Sequence, residues 1–212
     1  MEFRPLIDRL SSVVKDRPKK NGVVRRYRFP SLLISLIYIV GIFNVRDADG
    51  RDFNSIEQVK AAFVLNIARF VTWPADSPLQ QSERLLLCLY RSNPLQQAIA
   101  TIEGEKIGGR IIEVRQIKNL EASDSCSILL ISSSELQTFT SELPPNFNRP
   151  MLTITDLTEA PLSVESRRGV LIALIRNGTR IGFEVDLEQV RQAGFRMSSE
   201  LLKLANIVGG SD

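Results

Sequence analysis

Side chains able to do chemistry are few in this sequence, and their spacing does not favour catalysis. There is no histidine, which removes Ser-His-Asp and Cys-His catalysis, His-ligated metals and histidine pH switches together. Two cysteines, Cys88 and Cys126, stand 38 residues apart. That is too far for a CxxC redox pair and too few thiols for a structural zinc site. The run Ser132-Ser133-Ser134 would need a base to become a nucleophile, and without histidine or a nearby lysine it reads as helix capping. Asp156, Glu159, Glu184 and Asp186 carry no acid/base or metal spacing and read as strand-end and capping groups. Gly108-Gly109 does not follow a strand in a G-x-G-x-x-G pattern, so a dinucleotide loop is not indicated. Arg167-Arg168 and Arg176 with Arg180 could receive an anion or simply solvate strand ends. Trp73, the only tryptophan, reads as a core plug beneath the first helix. Neither a metal nor a cofactor is implied.

The elements that must position these residues are organised around Gly169 to Val208. Two apolar runs there are separated by Asn177-Gly178, the strongest short-range hairpin signal. In the second run Ile181, Phe183 and Val185 share a face opposite Gly182 and Glu184. Asp186 is placed to cap a helix over Leu187 to Ala193, with Gln189 in a capping-box-like position and Gly194 to end it. Ser198 or Ser199 starts a last helix, with Leu201, Leu202, Ala205 and Val208 on one stripe. Upstream, Ser55 and Gln58 read as a capping box opening a helix from Ile56 to about Val71. Val59, Phe63, Ile67 and Phe70 lie on one face of it, and Trp73-Pro74 ends it. Leu85 to Tyr90 and Cys126 to Ile131 lack alternation and read as strands buried on both faces. Lys106 to Ile117 reads as one strand, Met151 to Thr155 as another, and Asn93 to Ile102 and Ser134 to Leu143 as helices. Strand followed by helix, repeated, implies parallel pairing with right-handed crossovers. The fold class is therefore α/β, a three-layer sandwich with a mixed, mostly parallel sheet and a C-terminal antiparallel hairpin.

The net charge of +3 and the pI near 9.0 mislead until they are located. Residues 1–30 carry +6, residues 31–50 carry −1 and residues 51–212 carry −2. The folded part is slightly acidic, so a nucleic-acid partner, which needs a basic face, is not expected. Leu32 to Val45 is a fourteen-residue apolar run, shorter than the roughly twenty residues of a spanning helix and within the range of a signal-peptide core. Basic residues precede it and acidic residues follow, which orients the rest of the chain for export. Ala48-Asp49-Gly50 offers small residues for cleavage. Residues 1–50 are thus expected to be a signal peptide or an uncleaved anchor, and residues 51–212 a single exported domain. In a reducing compartment Cys88 and Cys126 would be two buried thiols. In an exported domain a disulfide is the default, feasible if their strands are neighbours.

Taken in order, FVLNIARFVTWP (Phe63 to Pro74), LLLCLY, CSILLIS, MLTITD (Met151 to Asp156) and RIGFEVDLEQVRQAGFRMSSELLKLA (Arg180 to Ala205) resemble the YfiR family of periplasmic repressors. The resemblance runs from about Ile56 to Val208. It implies a small exported α/β domain without enzymatic activity that holds an inner-membrane diguanylate cyclase off through its periplasmic domain. Loss of repression would then raise cyclic di-GMP and favour biofilm. A sensor kinase is the second partner implied, with a homodimer as a further option. Cys88 and Cys126 match one of the family's disulfide pairs by context. A second pair is absent, as are the paired glycines that relatives show where this chain has Arg167-Arg168-Gly169-Val170-Leu171. The contact surface is expected near the hairpin and the last helices, at Arg180, Phe183, Glu184, Leu201 and Leu202. The rival from another class is a periplasmic small-molecule-binding module, holding its ligand at the strand ends of an open α/β sheet.

Overall fold

The computed structural model describes residues 55–209. The basic N-terminus, the apolar run Leu32 to Val45 and the triplet Ala48-Asp49-Gly50 lie outside the described residues.

Helix α1 (Ile56–Arg69) starts where Ser55 Oγ accepts the N–H of Gln58 at 3.3 Å. The return arm of the capping box is not made, because Gln58 Oε1 instead accepts the Thr101 hydroxyl. Strand β1 (Val71–Thr72) then pairs antiparallel with β9 (Arg196–Met197) as a separate two-stranded sheet. The main sheet follows: β2 (Arg84–Tyr90), β3 (Lys106–Ile107), β4 (Arg110–Ile117), β5 (Ile128–Ser132), β6 (Leu152–Asp156), β7 (Ile172–Asn177), β8 (Arg180–Asp186) and β10 (Asn206–Val208). Its spatial order is β10-β8-β7-β6-β5-β2-β4-β3. Strands β4, β2, β5, β6 and β7 are mutually parallel, and β8 runs antiparallel to β7. Among the described residues there are four shorter α-helices: α2 (Gln96–Ala100), α3 (Leu136–Glu142), α4 (Leu187–Gln192) and α5 (Ser199–Leu204). The result is the expected α/β sandwich with a mixed, mostly parallel sheet.

The apolar runs that lack alternation are buried on both sides because helices cover both faces. Leu85, Leu87, Leu89, Leu130 and Ile154 face a core shared with α1, α2, α4 and α5. Their neighbours Leu86, Cys88, Tyr90, Leu129 and Ile131 face a second core built on α3. Each such leucine, fully withdrawn from water, contributes about 1.5–3 kcal/mol before chain entropy is counted.

Four local readings are corrected. Lys106 to Ile117 is not one strand but a hairpin, β3 and β4, turning on Gly108 and Gly109 at φ +55° and +84°. Two consecutive positive φ values are what a type I′ turn needs, and glycine supplies them without a Cβ penalty. The second hairpin turns on Gly178-Thr179, since Asn177 still pairs with Arg180. Only Gly178 has a positive φ, so the turn is of the II′ kind. The helix expected from Asn93 begins only at Gln96, because Asn93 Oδ1 accepts the N–H of Leu95 in a turn first. The last helix stops at Leu204, and Asn206 to Val208 leave it to pair parallel with β8 as a new sheet edge.

Candidate docking groove

The Asp186 carboxylate accepts both the backbone N–H and the side-chain amide of Gln189, so α4 starts on a side-chain cap at the end of β8, while the Asp186 N–H donates to the Leu171 carbonyl. Ser198 caps α5 through the N–H of Leu201. These two caps fix α5 against β8 and beside α1. Between the two helices runs an apolar groove of about 320 Å³. Val59 and Phe63 of α1 and Phe70 just beyond its end form one wall, Leu201 and Leu204 of α5 the other, and Phe183 of β8 the floor. Phe63 and Phe183 meet edge to face with ring centres 6.3 Å apart, a geometry aromatic pairs favour. Leu204 is 75% exposed, Phe70 46% and Val59 42%, so apolar side chains stand in water along both walls.

The residues singled out near the hairpin divide between roles. Phe183 and Leu201 are brought together as groove floor and wall, both nearly buried. Leu202 packs half-buried on the main core. Arg180 is exposed at the hairpin end of β8. Glu184 is held from two sides, accepting from the buried Arg167 guanidinium and from the Asn206 amide at 3.1 Å. The α1 wall was missed at the sequence level. The helix buries Lys60, Ala61, Val64, Ile67 and Ala68, so of the stripe Val59, Phe63, Ile67 and Phe70 only Ile67 is fully buried, Phe63 packs partly buried on the core, and Val59 and Phe70 stand in water. A stripe offset from the small-residue positions Ala61 and Ala68 was the available signal, since small residues mark where a helix approaches a sheet closely.

The groups that might have done chemistry are engaged with one another. Asp156 takes the buried Lys60 ammonium at 2.9 Å and both the N–H and hydroxyl of Thr158. Glu159 pairs with Arg176. Arg168 donates to the carbonyls of Leu143, Pro144 and Pro145. Strand order reverses between the parallel neighbours β2 and β5, the position where open α/β sheets usually hold ligands. There Ser132 Oγ donates to the Ser92 carbonyl at 2.9 Å and Asn93 Nδ2 to that of Leu130, closing the crevice. Among the described residues no group of three or more His, Cys, Asp or Glu side chains could hold a metal. Trp73 is buried as a plug, its indole N–H donating to the Ser127 carbonyl at 3.2 Å and its ring edge-on to Phe195.

Cys88 and Cys126 form a disulfide with Cα atoms 5.9 Å apart. Cys88 sits in the middle of β2 and Cys126 just ahead of β5, its neighbour. Both are buried in the core built on α3, with Tyr90, Leu136 and Phe139. Burial first, and then the Glu142 carboxylate, push the neighbouring Tyr90 phenol up to about 12. Among the described residues no helix is long and apolar enough to cross a membrane.

No curated protein matches the chain significantly. The family model for YfiR/HmsC-like proteins matches residues 57–206, from the first turn of α1 to the start of β10, and the chain belongs to that family.

Proposed function

We propose that this protein is an exported, non-enzymatic regulator that holds an inner-membrane signalling protein inactive by direct contact in the periplasm. A diguanylate cyclase is the leading partner, which makes cyclic di-GMP the output. Membership of the YfiR/HmsC-like family supports this reading, and the observation that carries it is the solvent-open apolar groove between α1 and α5. Apolar side chains left in water on a well-packed body mark a surface that gains free energy when a partner covers it. A regulator without chemistry of its own acts only by binding two states of its partner unequally. Holding a balanced partner 99:1 in the inactive state takes roughly a hundredfold difference in affinity, or about 2.7 kcal/mol. Covering two or three of these side chains supplies that much.

The test is to delete the gene in its own host and restore it as wild type, Leu204→Asp or Phe70→Asp. Both positions are exposed enough for the variants to fold, which melting curves check. Deletion should raise cyclic di-GMP, the wild type should lower it again, and both variants should fail to do so. Full repression by folded variants would remove the groove from the mechanism. Unchanged cyclic di-GMP on deletion would refute the cyclase, and altered phosphorylation of a membrane kinase would then identify the second partner class. Intact mass of the protein from the cell envelope reports the leader, with a mature chain expected to begin near Arg51.

A further inference from the structure

A second concavity, of about 420 Å³, lies at the end of the sheet where β6 and β7 begin, between the loop 145–149 and α4. We propose that it binds a small organic carboxylate with an apolar body. Met151, Thr153 and Leu171 make a floor that is almost wholly buried. The floor is held rigid by its own hydrogen bonds. Thr153 Oγ1 donates to the Gly169 carbonyl at 2.6 Å and accepts the N–H of Leu171. Gln189 accepts the N–H of Gly169 and donates to the Val170 carbonyl. A preformed, half-apolar hollow of this size suits a small ligand.

The headgroup chemistry comes from Arg149. Its Nη1 is used within the protein, donating to the Ser123 hydroxyl at 3.1 Å and to Asp124 at 2.6 Å. Among the described residues its Nε and Nη2 have no partner, and these form the fork that takes a carboxylate through two parallel hydrogen bonds. Asp124 is 79% exposed, so water screens its claim on the guanidinium. The lining contains no Asp or Glu, so nothing in it repels an anion. Asn146 and Asn148 add exposed amide donors on the same loop. Phe147, which meets Phe139 edge to face, lines the hollow with Met151, Leu171 and Ala193 and gives an apolar body a surface to lie on. A hydrated inorganic anion gains nothing from that surface, whereas a carboxylate on a hydrocarbon or ring gains from both halves.

The experiment titrates protein purified from the cell envelope with phenylacetate and hexanoate. The uncharged benzyl alcohol and hexanol, and inorganic phosphate, serve as controls. Binding is read by calorimetry in the wild type, Arg149→Lys and Ala193→Trp. The lysine keeps the charge without the fork, and the indole fills the hollow. Both carboxylates should bind saturably, in about the millimolar range for ligands of this size. The alcohols and phosphate should bind at least about tenfold more weakly. Arg149→Lys should lose about tenfold, and Ala193→Trp should bind neither carboxylate while melting as a folded protein. If Ala193→Trp does not fold, Arg149→Lys decides alone. No saturable binding of either carboxylate, equal binding of acids and alcohols, or wild-type affinity in Arg149→Lys would overturn the proposal.

Discussion

Removing the Cys88–Cys126 bridge should cost this domain a large share of its stability. The loop it closes spans 38 residues, for which the chain-entropy relation gives about 3.9 kcal/mol at 25 °C. Little of this is returned by solvating the freed sulfurs, because both side chains stay in the core against Tyr90 and Phe139. The Cys88→Ala/Cys126→Ala double variant adds a small packing loss, so a total of about 4–5 kcal/mol is expected. For a domain of this size that is a drop in Tm of about 10–15 °C. Urea unfolding of oxidised, reduced and double-alanine protein measures it. Reduction rate is the second readout. With both cysteines almost fully buried, dithiothreitol should cut the bridge only through opening of the domain, so the rate should rise with urea in step with unfolding. A stability loss below about 1 kcal/mol, or reduction in native buffer as fast as that of an exposed disulfide, would refute the structural account. The second result would show instead that the bridge is placed to be switched.

Other perturbations follow from single contacts. Tyr90 titrates near 12 when folded and near 10 when unfolded, so the folded state holds its proton longer. Its contribution is complete below pH 10 and is lost as pH rises through 12, at most about 2–3 kcal/mol, and Tyr90→Phe should flatten that alkaline slope in pH-dependent urea melts. Lys60→Met leaves Asp156 without its cation on a nearly buried site and should cost about 3–5 kcal/mol, while adding Asp156→Leu should recover part of it in chemical denaturation. Gly169 has φ +80°, and a Cβ there would come 2.6 Å from Leu143 Cδ1, so Gly169→Ala should lose about 1–2 kcal/mol in the same assay.

What could be read from the sequence was whatever a short stretch decides alone. Ser55, Asp186 and Ser198 are capping residues by type and position, and each caps its helix. LLLCLY and CSILLIS have no polar alternation, and each proves to be a strand buried on both faces. The errors fall where a distant partner decides. Gly108-Gly109 could belong to a bulge or a turn, and only the ladder of β3 on β4 separates them. Val208 continues the helical stripe of Leu201 and Ala205, but pairing with β8 offers Asn206 to Val208 backbone partners that one more helical turn would not match. Arg167 looks like a solvated strand-end cation, yet the Glu184 carboxylate across the sheet draws it inside. Phe70 looks like part of a buried stripe, yet the helix ends at Arg69 and Phe70, as its C-cap, stands largely in water.

That last error points toward function. A helix needs only one stripe to dock on a sheet, and α1 does so through Ala61, Val64, Ile67 and Ala68. Phe63 packs partly on the same core, but Val59 and Phe70 are apolar positions that the fold does not require for its core. Polar residues there would cost the isolated domain little and would lower its tendency to associate. Leu204 on the facing helix is in the same position, three-quarters exposed with no core to serve. Two elements distant in sequence thus present surplus apolar groups to one groove, over a floor set by Phe183. Stability alone gives no reason for that coincidence, and a covering partner does. If it is correct, Leu204→Asp and Phe70→Asp should leave the melting temperature within about 2 °C of wild type while abolishing regulation. A fall of about 10 °C would place both side chains in the core and remove the reason for assigning this face to a partner.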